Sequence, residues 1–307
     1  MPFVAAPYNS EAFVATSPDG LTWTSVAIPS SLRLESGIYV NSTIILNDSS
    51  GITLISTDDG ASFRSVGAVQ DSNGNTIVAY GEIDGTIYGI TSVGTIATTT
   101  TGSSWTWLSS SVPVVSTTYL STAPLGINGN TITVGGTGGY VYTSRDAGST
   151  WVANQVFGAA PWDAMTAFGN GVFVATEQYQ NHGYTLATSS DGLTWTLNSS
   201  AALEAAGPEY PVYDATTATW VCAVEGGNMF YSTDNATTWT QTASGYGIWT
   251  DASSGVFVVV GGPTDGGYRS TDGITWSLVT LPTTGTYWNV VLGKHLSASS
   301  AKIVMVI

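Results

Sequence analysis

Short apolar runs, rather than long amphipathic stretches, dominate this chain. Runs of four to seven β-branched and aromatic residues recur throughout, each bounded by Gly, Asn or Asp, and such runs read as β-strands. No segment sustains a 3.6-residue period, so almost no helix is expected. The region around residues 162–197 shows the pattern most clearly. Trp162 to Phe168 is a first strand, closed by a Gly-Asn-Gly turn. Gly171 to Thr176 is a second and Tyr184 to Ser189 a third. A polar turn follows, and Leu193 to Leu197 is a fourth.

That polar turn repeats. Ser270-Thr-Asp-Gly-Ile-Thr-Trp276 has counterparts at Ser17-Pro-Asp-Gly-Leu-Thr-Trp23, Ser56-Thr-Asp-Asp-Gly-Ala-Ser-Phe63 and Ser144-Arg-Asp-Ala-Gly-Ser-Thr-Trp151. Ser190-Asp-Gly-Leu-Thr-Trp195, Ser232-Thr-Asp-Asn-Ala-Thr-Thr-Trp239 and a copy lacking the Asp, Thr99-Thr-Thr-Gly-Ser-Ser-Trp105, complete seven. The closing aromatics are Trp23, Phe63, Trp105, Trp151, Trp195, Trp239 and Trp276, so the steps are 40, 42, 46, 44, 44 and 37 residues. Asp can accept bonds from amides two or three residues on, Gly tolerates positive φ, and a large aromatic can plug the gap between sheets. Four strands per unit at this period is a propeller blade. The expected fold is all-β: one domain over 1–307, seven four-stranded antiparallel blades in a closed ring, which removes exposed sheet edges. The chain starts part-way through a blade, with Phe3 to Ala6 and Ala12 to Thr16 ahead of the first motif. It ends with Tyr287 to Leu292 and Lys302 to Ile307, which read as first and second strands without a motif. The C-terminal strands are therefore expected to complete the blade that the N-terminus opens; the alternative for Lys302–Ile307 is an extra strand outside the domain.

Composition narrows function. Charged residues make up 9% of the chain and net charge is −15, with only six Lys and Arg. That excludes nucleic acid, whose phosphates need clustered cations, and disfavours anionic membrane surfaces. No run approaches the roughly 18 apolar residues of a membrane span. Cys222 is the single cysteine, within Trp-Val-Cys-Ala-Val, and reads as a small buried hydrophobe. The N-terminus shows no basic segment followed by an apolar run, so synthesis in the cytoplasm without a signal peptide is expected.

The repeated turn resembles the Asp-box, or bacterial neuraminidase repeat, with its pattern Ser/Thr-x-Asp-x-Gly-x-Thr-Trp. The resemblance covers all seven units. It implies that Asp19, Asp58, Asp146, Asp191, Asp234 and Asp272 are structural, in turns between third and fourth strands that face away from the ligand site. Asp-boxes occur in sialidases, other glycosidases, sorting receptors, photosystem assembly factors and bacteriophage proteins, so the resemblance bears on fold more than on function. Sialidases hold a substrate carboxylate with three arginines, whose guanidinium groups are permanently charged and bidentate. Here Arg64, Arg145 and Arg269 lie in or beside the turns and only Arg33 belongs to the opposite mouth, so that triad cannot be assembled.

Other glycosidases need two carboxylates flanking a bond. Glu177, Glu225 and Asp265 fall in or beside loops between second and third strands, and Glu204 and Glu209 in the link between units five and six. Nothing in the sequence singles out a pair. His182, His295 and Cys222 lack metal-ligand spacing, and Gly135-Gly-Thr-Gly-Gly139 is a turn between strands, not a phosphate loop. No metal and no cofactor are expected. Asp163, Asp214 and Asp251 read as first-strand starts, where a cation near the axis is conceivable.

Propeller ligands usually meet the face carrying the second-to-third and blade-to-blade loops. Two long loops are expected there, Glu177-Gln-Tyr-Gln-Asn-His-Gly-Tyr184 and Asn198 to Pro211. They nominate Glu177, Tyr179, His182, Tyr184, Glu204, Glu209 and Tyr210. Trp162, Trp249 and Trp288 either ring the same mouth, where aromatic faces suit sugar rings, or wedge between blades. The Lys-poor, Ser/Thr/Gly-rich composition resembles bacteriophage tail, fibre or head-decoration proteins. The expectation is a non-catalytic virion propeller that binds host-surface glycan or docks other virion proteins, with its oligomeric state open. The alternatives are a glycan-active enzyme or bacterial lectin, and a protein-assembly scaffold.

Overall fold

Side-chain alternation decides how the strands pack. In Val172–Glu177, Ala175 packs with Val141, Ala164 and Ala187, while Val174 packs with Leu186, Trp220 and Cys222. Both faces of this strand are therefore covered, one by each neighbouring blade. Outer strands bury far less: Arg64–Ala68 and Val152–Gln155 are largely exposed. Such a gradient from axis to rim is what radially stacked four-stranded sheets produce.

The protein is described from a computed structural model, over residues 3–7, 10–114, 125–158, 163–177, 186–198, 203, 207–224, 228–244, 249–261, 266–282 and 288–295. Apart from Leu203, a single helical residue, every described element is a strand, and the strands form seven antiparallel four-stranded sheets. Six sheets follow chain order, beginning with first strands Leu34–Val40, Ile77–Ile83, Gly126–Asn128, Ala164–Gly169, Pro208–Asp214 and Trp249–Ser253. Numbering blades by their turn motifs, these open blades two to seven. Neighbouring first strands touch around the ring. The molecule is a seven-bladed β-propeller.

Blade one closes the ring. Its first strand is Trp288–Gly293 from the C-terminal end, paired antiparallel with Phe3–Pro7; Glu11–Ser17 and Thr24–Leu32 follow. The second-strand place is thus filled from the N-terminal side, where the sequence offered Lys302–Ile307 as a further candidate. Those residues lie outside the described ones. Beyond Gly293 the chain continues onto blade two: His295 N–H donates to Tyr39 O at 3.0 Å, and Asn41 N–H donates to His295 O at 2.8 Å.

The seven turn motifs share one construction. In blade five, Ser189 Oγ accepts from Gly192 N–H at 2.8 Å, and Asp191 Oδ1 accepts from Leu193 and Thr194 N–H at 2.9 and 2.8 Å. The cap is therefore Ser189, one residue before the expected start. Trp195 Nε1 then donates back to Gly192 O at 2.9 Å, and Trp23, Trp105, Trp151, Trp239 and Trp276 do the same to Gly20, Gly102, Gly148, Ala236 and Gly273. Blade three lacks the Asp, and Thr101 takes its place: its Oγ1 accepts from Ser103 N–H at 3.2 Å. The longer motifs of blades two, four and six absorb their extra residue in a second left-handed position, at Asp59, Ala147 and Asn235.

These turns also lock blades together. Gly192 sits against Thr133 and Thr143 of blade four, and Gly273 against Thr219 and Val221 of blade six. Arg64 Nη2 donates to Ser103 Oγ of the next blade's motif at 2.7 Å, and Arg269 Nε donates to Asp19 O across the ring closure at 2.8 Å. Hydroxyls of Ser62 and Ser56 hold Asp58 down at about 2, and Thr150 and Ser144 do the same for Asp146.

Candidate functional site

The first strands of all seven blades enclose an axial cavity of about 440 Å³, within the range of small-molecule sites. A short inner ring produces it: seven strands splay from the axis and leave a space that side chains line but do not fill. Phe168, Tyr210 and Tyr213 supply aromatic surface, while Tyr39 and Tyr80 are buried within the wall, and Glu82, Asp84, Asn128, Asp251 and His295 supply polar groups. Most of the lining comes from the C-terminal halves of the first strands, the end nearest the turn motifs.

His295 and Asp251 are paired. His295 Nε2 lies 3.0 Å from Asp251 Oδ1, while Asp251 Oδ2 accepts from Gly293 N–H at 2.8 Å. The charge of Asp251 raises the imidazole pKa above its usual value against the opposing effect of burial, with a further push from Asp214. The ring is nonetheless half-exposed, because it faces the cavity. Next to it, Lys294 Nζ meets Asp59 Oδ1 at 2.6 Å, Tyr39 Oη donates to the same carboxylate at 2.9 Å, and Ser253 Oγ donates to Lys294 O at 2.8 Å. Two residues after the closing strand thus tie blades seven, one and two together around the cavity wall.

Of the residues nominated from sequence, Tyr210 lines this cavity. Its ring stacks on Trp249 with centroids 4.1 Å apart, and both pack with Met165. Tyr210 adopts φ +43°, at a break in the register between Glu209 and Val212. Trp288 takes the wedge role: it is 2% exposed, packed with Phe3, Val258 and Leu281, and T-shaped against Phe13 with ring centroids 6.1 Å apart. A first-strand Trp whose face turns to the neighbouring blade cannot also ring a mouth. Glu209 is buried in blade six. Glu177 ends the second strand of blade five, fully buried, and neither carboxylate oxygen has a hydrogen-bond partner. Burial pushes its pKa up to about 7. Burial also raises that of Asp163, near the start of the same blade's first strand. Trp162, Tyr179, His182, Tyr184 and Glu204 lie outside the described residues.

The three aspartates read as first-strand starts are not gathered. Asp214 ends its strand rather than starting it; Oδ1 caps Thr216 and Thr217 N–H, and Oδ2 accepts from Gly255 N–H at 2.9 Å. Asp251 is occupied by Gly293 and His295. Among the described residues no group of three His, Cys, Asp or Glu is placed to hold a metal ion. Of the four arginines, Arg33 forms a 3.0 Å ion pair with Glu35.

Sequence reading missed Tyr39, Asp84, Phe168, Tyr213 and the Asp251–His295 pair. Each strand contributes only one or two of them, and they sit at the end assigned to structural turns. The one available signal was His295, a lone histidine just after the last predicted first strand.

No family model matches the sequence, and no curated protein matches it. Solved structures do. YCF48 bound to D1 peptide is 14% identical with a TM-score of 0.58, over 89% of this chain and 87% of that one. YCF48 from Cyanidioschyzon merolae is 15% identical with a TM-score of 0.57, over 83% and 87%. The GH74 enzyme of Niastella koreensis is 18% identical with a TM-score of 0.58, over 92% of this chain but 44% of that one. At such identities the likeness establishes the shared propeller fold.

Proposed function

We propose that this chain is a non-catalytic binding propeller of a bacteriophage virion, in the tail, fibre or head decoration, and that it holds host-surface glycan in its axial cavity. The cavity itself carries the reading: aromatic walls with a few convergent hydroxyl, carboxylate and imidazole groups suit a polyhydroxylated ring, whose C–H faces pack on aromatics while its hydroxyls bond. The virion assignment is supported by the Lys-poor, Ser/Thr/Gly-rich composition. Docking onto other virion proteins is the same surface put to another use, and a propeller of this fold, YCF48, has been solved with a peptide bound.

One observation favours an enzyme instead. A buried carboxyl with pKa about 7 is what a general acid requires. Glu177 does not line the axial cavity, however. A glycan array on the purified protein, with product analysis of every bound sugar, tests the reading. Binding without cleavage is expected. Cleavage would refute the non-catalytic assignment and make Glu177, Glu204 and Glu209 the first residues to replace.

A further inference from the structure

The cavity's polar groups are unevenly distributed, and the imbalance bears on which sugars can enter. On the side of blades seven and one, Thr250 precedes the Asp251–His295 pair. Thr250 is 8% exposed and contributes to the wall, but its Oγ1 is buried behind that wall. Asp251 engages Nε2 of His295, and among the described residues the other ring nitrogen has no hydrogen-bond partner. On the side of blade three stand Glu82 and Asp84, with Asp84 exposed at the end of its strand. Three carboxylates thus face one imidazole, inside a chain of net charge −15. Low-dielectric walls concentrate such a field.

We propose that the axial cavity selects an uncharged sugar ring, bonded by Asp251 and His295, and that Glu82 and Asp84 exclude acidic sugars. This rests on the glycan-binding reading. Sugar hydroxyls both donate and accept, matching a carboxylate acceptor beside an imidazole donor. A uronic or sialic acid carboxylate would instead enter a space already negative, with a single partial counter-charge that Asp251 has claimed.

The test uses the full chain and two oligosaccharide sets: neutral hexose or N-acetylhexosamine oligomers, and the same oligomers carrying one uronic or sialic acid. Titration calorimetry at physiological salt is expected to show the acidic set binding about tenfold more weakly or worse, the effect of one like-charge contact at intermediate dielectric. The double variant Asp84→Asn with Glu82→Gln should narrow that gap without weakening neutral binding. Asp84 has φ +48°, which Asn also tolerates, so that substitution keeps the turn. His295→Ala should weaken neutral binding at least about fivefold. Equal or tighter binding of the acidic set to the wild type overturns this inference while leaving glycan binding intact, as does a gap that the double variant leaves unchanged. If neither set binds, the glycan reading falls with it.

Discussion

Replacing Gly273 by alanine isolates how the turn motifs hold neighbouring blades. Gly273 has φ +75°, and a Cβ there would lie 2.8 Å from Thr219 Cγ2, 2.9 Å from Val221 Cγ2 and 3.3 Å from Phe257 Cε2. All three neighbours are buried, at 2%, 0% and 0% exposure, so none can swing away. The left-handed backbone costs an L-residue about 1–2 kcal/mol, and forcing a methyl into a packed interior adds about 1–3 kcal/mol. Reduced freedom of the unfolded chain returns about 0.4–1 kcal/mol. The net is about 1–5 kcal/mol, or a fall in Tm of roughly 2–7 °C for a chain of this size. Gly67→Ala is the control: its φ is +83°, but nothing lies within 4 Å of the added Cβ. It should cost about 1 kcal/mol from backbone strain alone. Urea unfolding followed by tryptophan fluorescence reads both. Equal midpoints for the two variants would refute the claim that the motif glycine is needed for close approach to the preceding blade.

Glu177 gives a pH signature. Its folded pKa, about 7, lies above the ordinary 4.5, so its own contribution to stability is full below about 4.5 and is lost as pH rises through 7, by about 3 kcal/mol for a shift of this size. Glu177→Gln should remove that slope, whatever offset the amide introduces; parallel pH profiles of the urea midpoint for wild type and variant would contradict it. The motif aspartates predict the opposite limb. Asp58 and Asp146 are held at about 2, so their contribution is present above the unfolded value near 4 and is lost as pH falls toward 2; far-ultraviolet circular dichroism should show acid unfolding in that window and not at pH 5. A chain truncated before Trp288 loses the strand that closes blade one, and it should unfold without the wild type's cooperative transition in calorimetry; an unchanged transition would mean the ring does not depend on that closure.

The architecture was legible because each blade carries its own marker. Motif spacing gave the number of blades, and short runs such as Val256–Val260 gave strands whose two buried faces follow from stacking. One detail was hidden by chemistry that a pattern does not show: Thr101 makes one of the absent aspartate's bonds in blade three. The strand Phe3–Pro7 was expected in the closing blade, and only its sharing of the second place with Lys302–Ile307 was left open. The cavity was hardly legible at all. His295 and Asp251 are 44 residues apart, and Lys294 and Asp59 are 235 apart. Only ring closure brings them together. Trp288 illustrates the converse: an aromatic at a strand start looks the same in sequence whether it faces solvent or a neighbouring blade, and register alone decides.

The most direct measurement is a crystal structure of the protein soaked with the tightest neutral oligosaccharide selected on the array. Sugar density in the axial cavity, within hydrogen-bond distance of Asp251 or His295, is the predicted result. Density confined to the face carrying the second-to-third loops of blades five and six, with the axial cavity empty, would contradict the account.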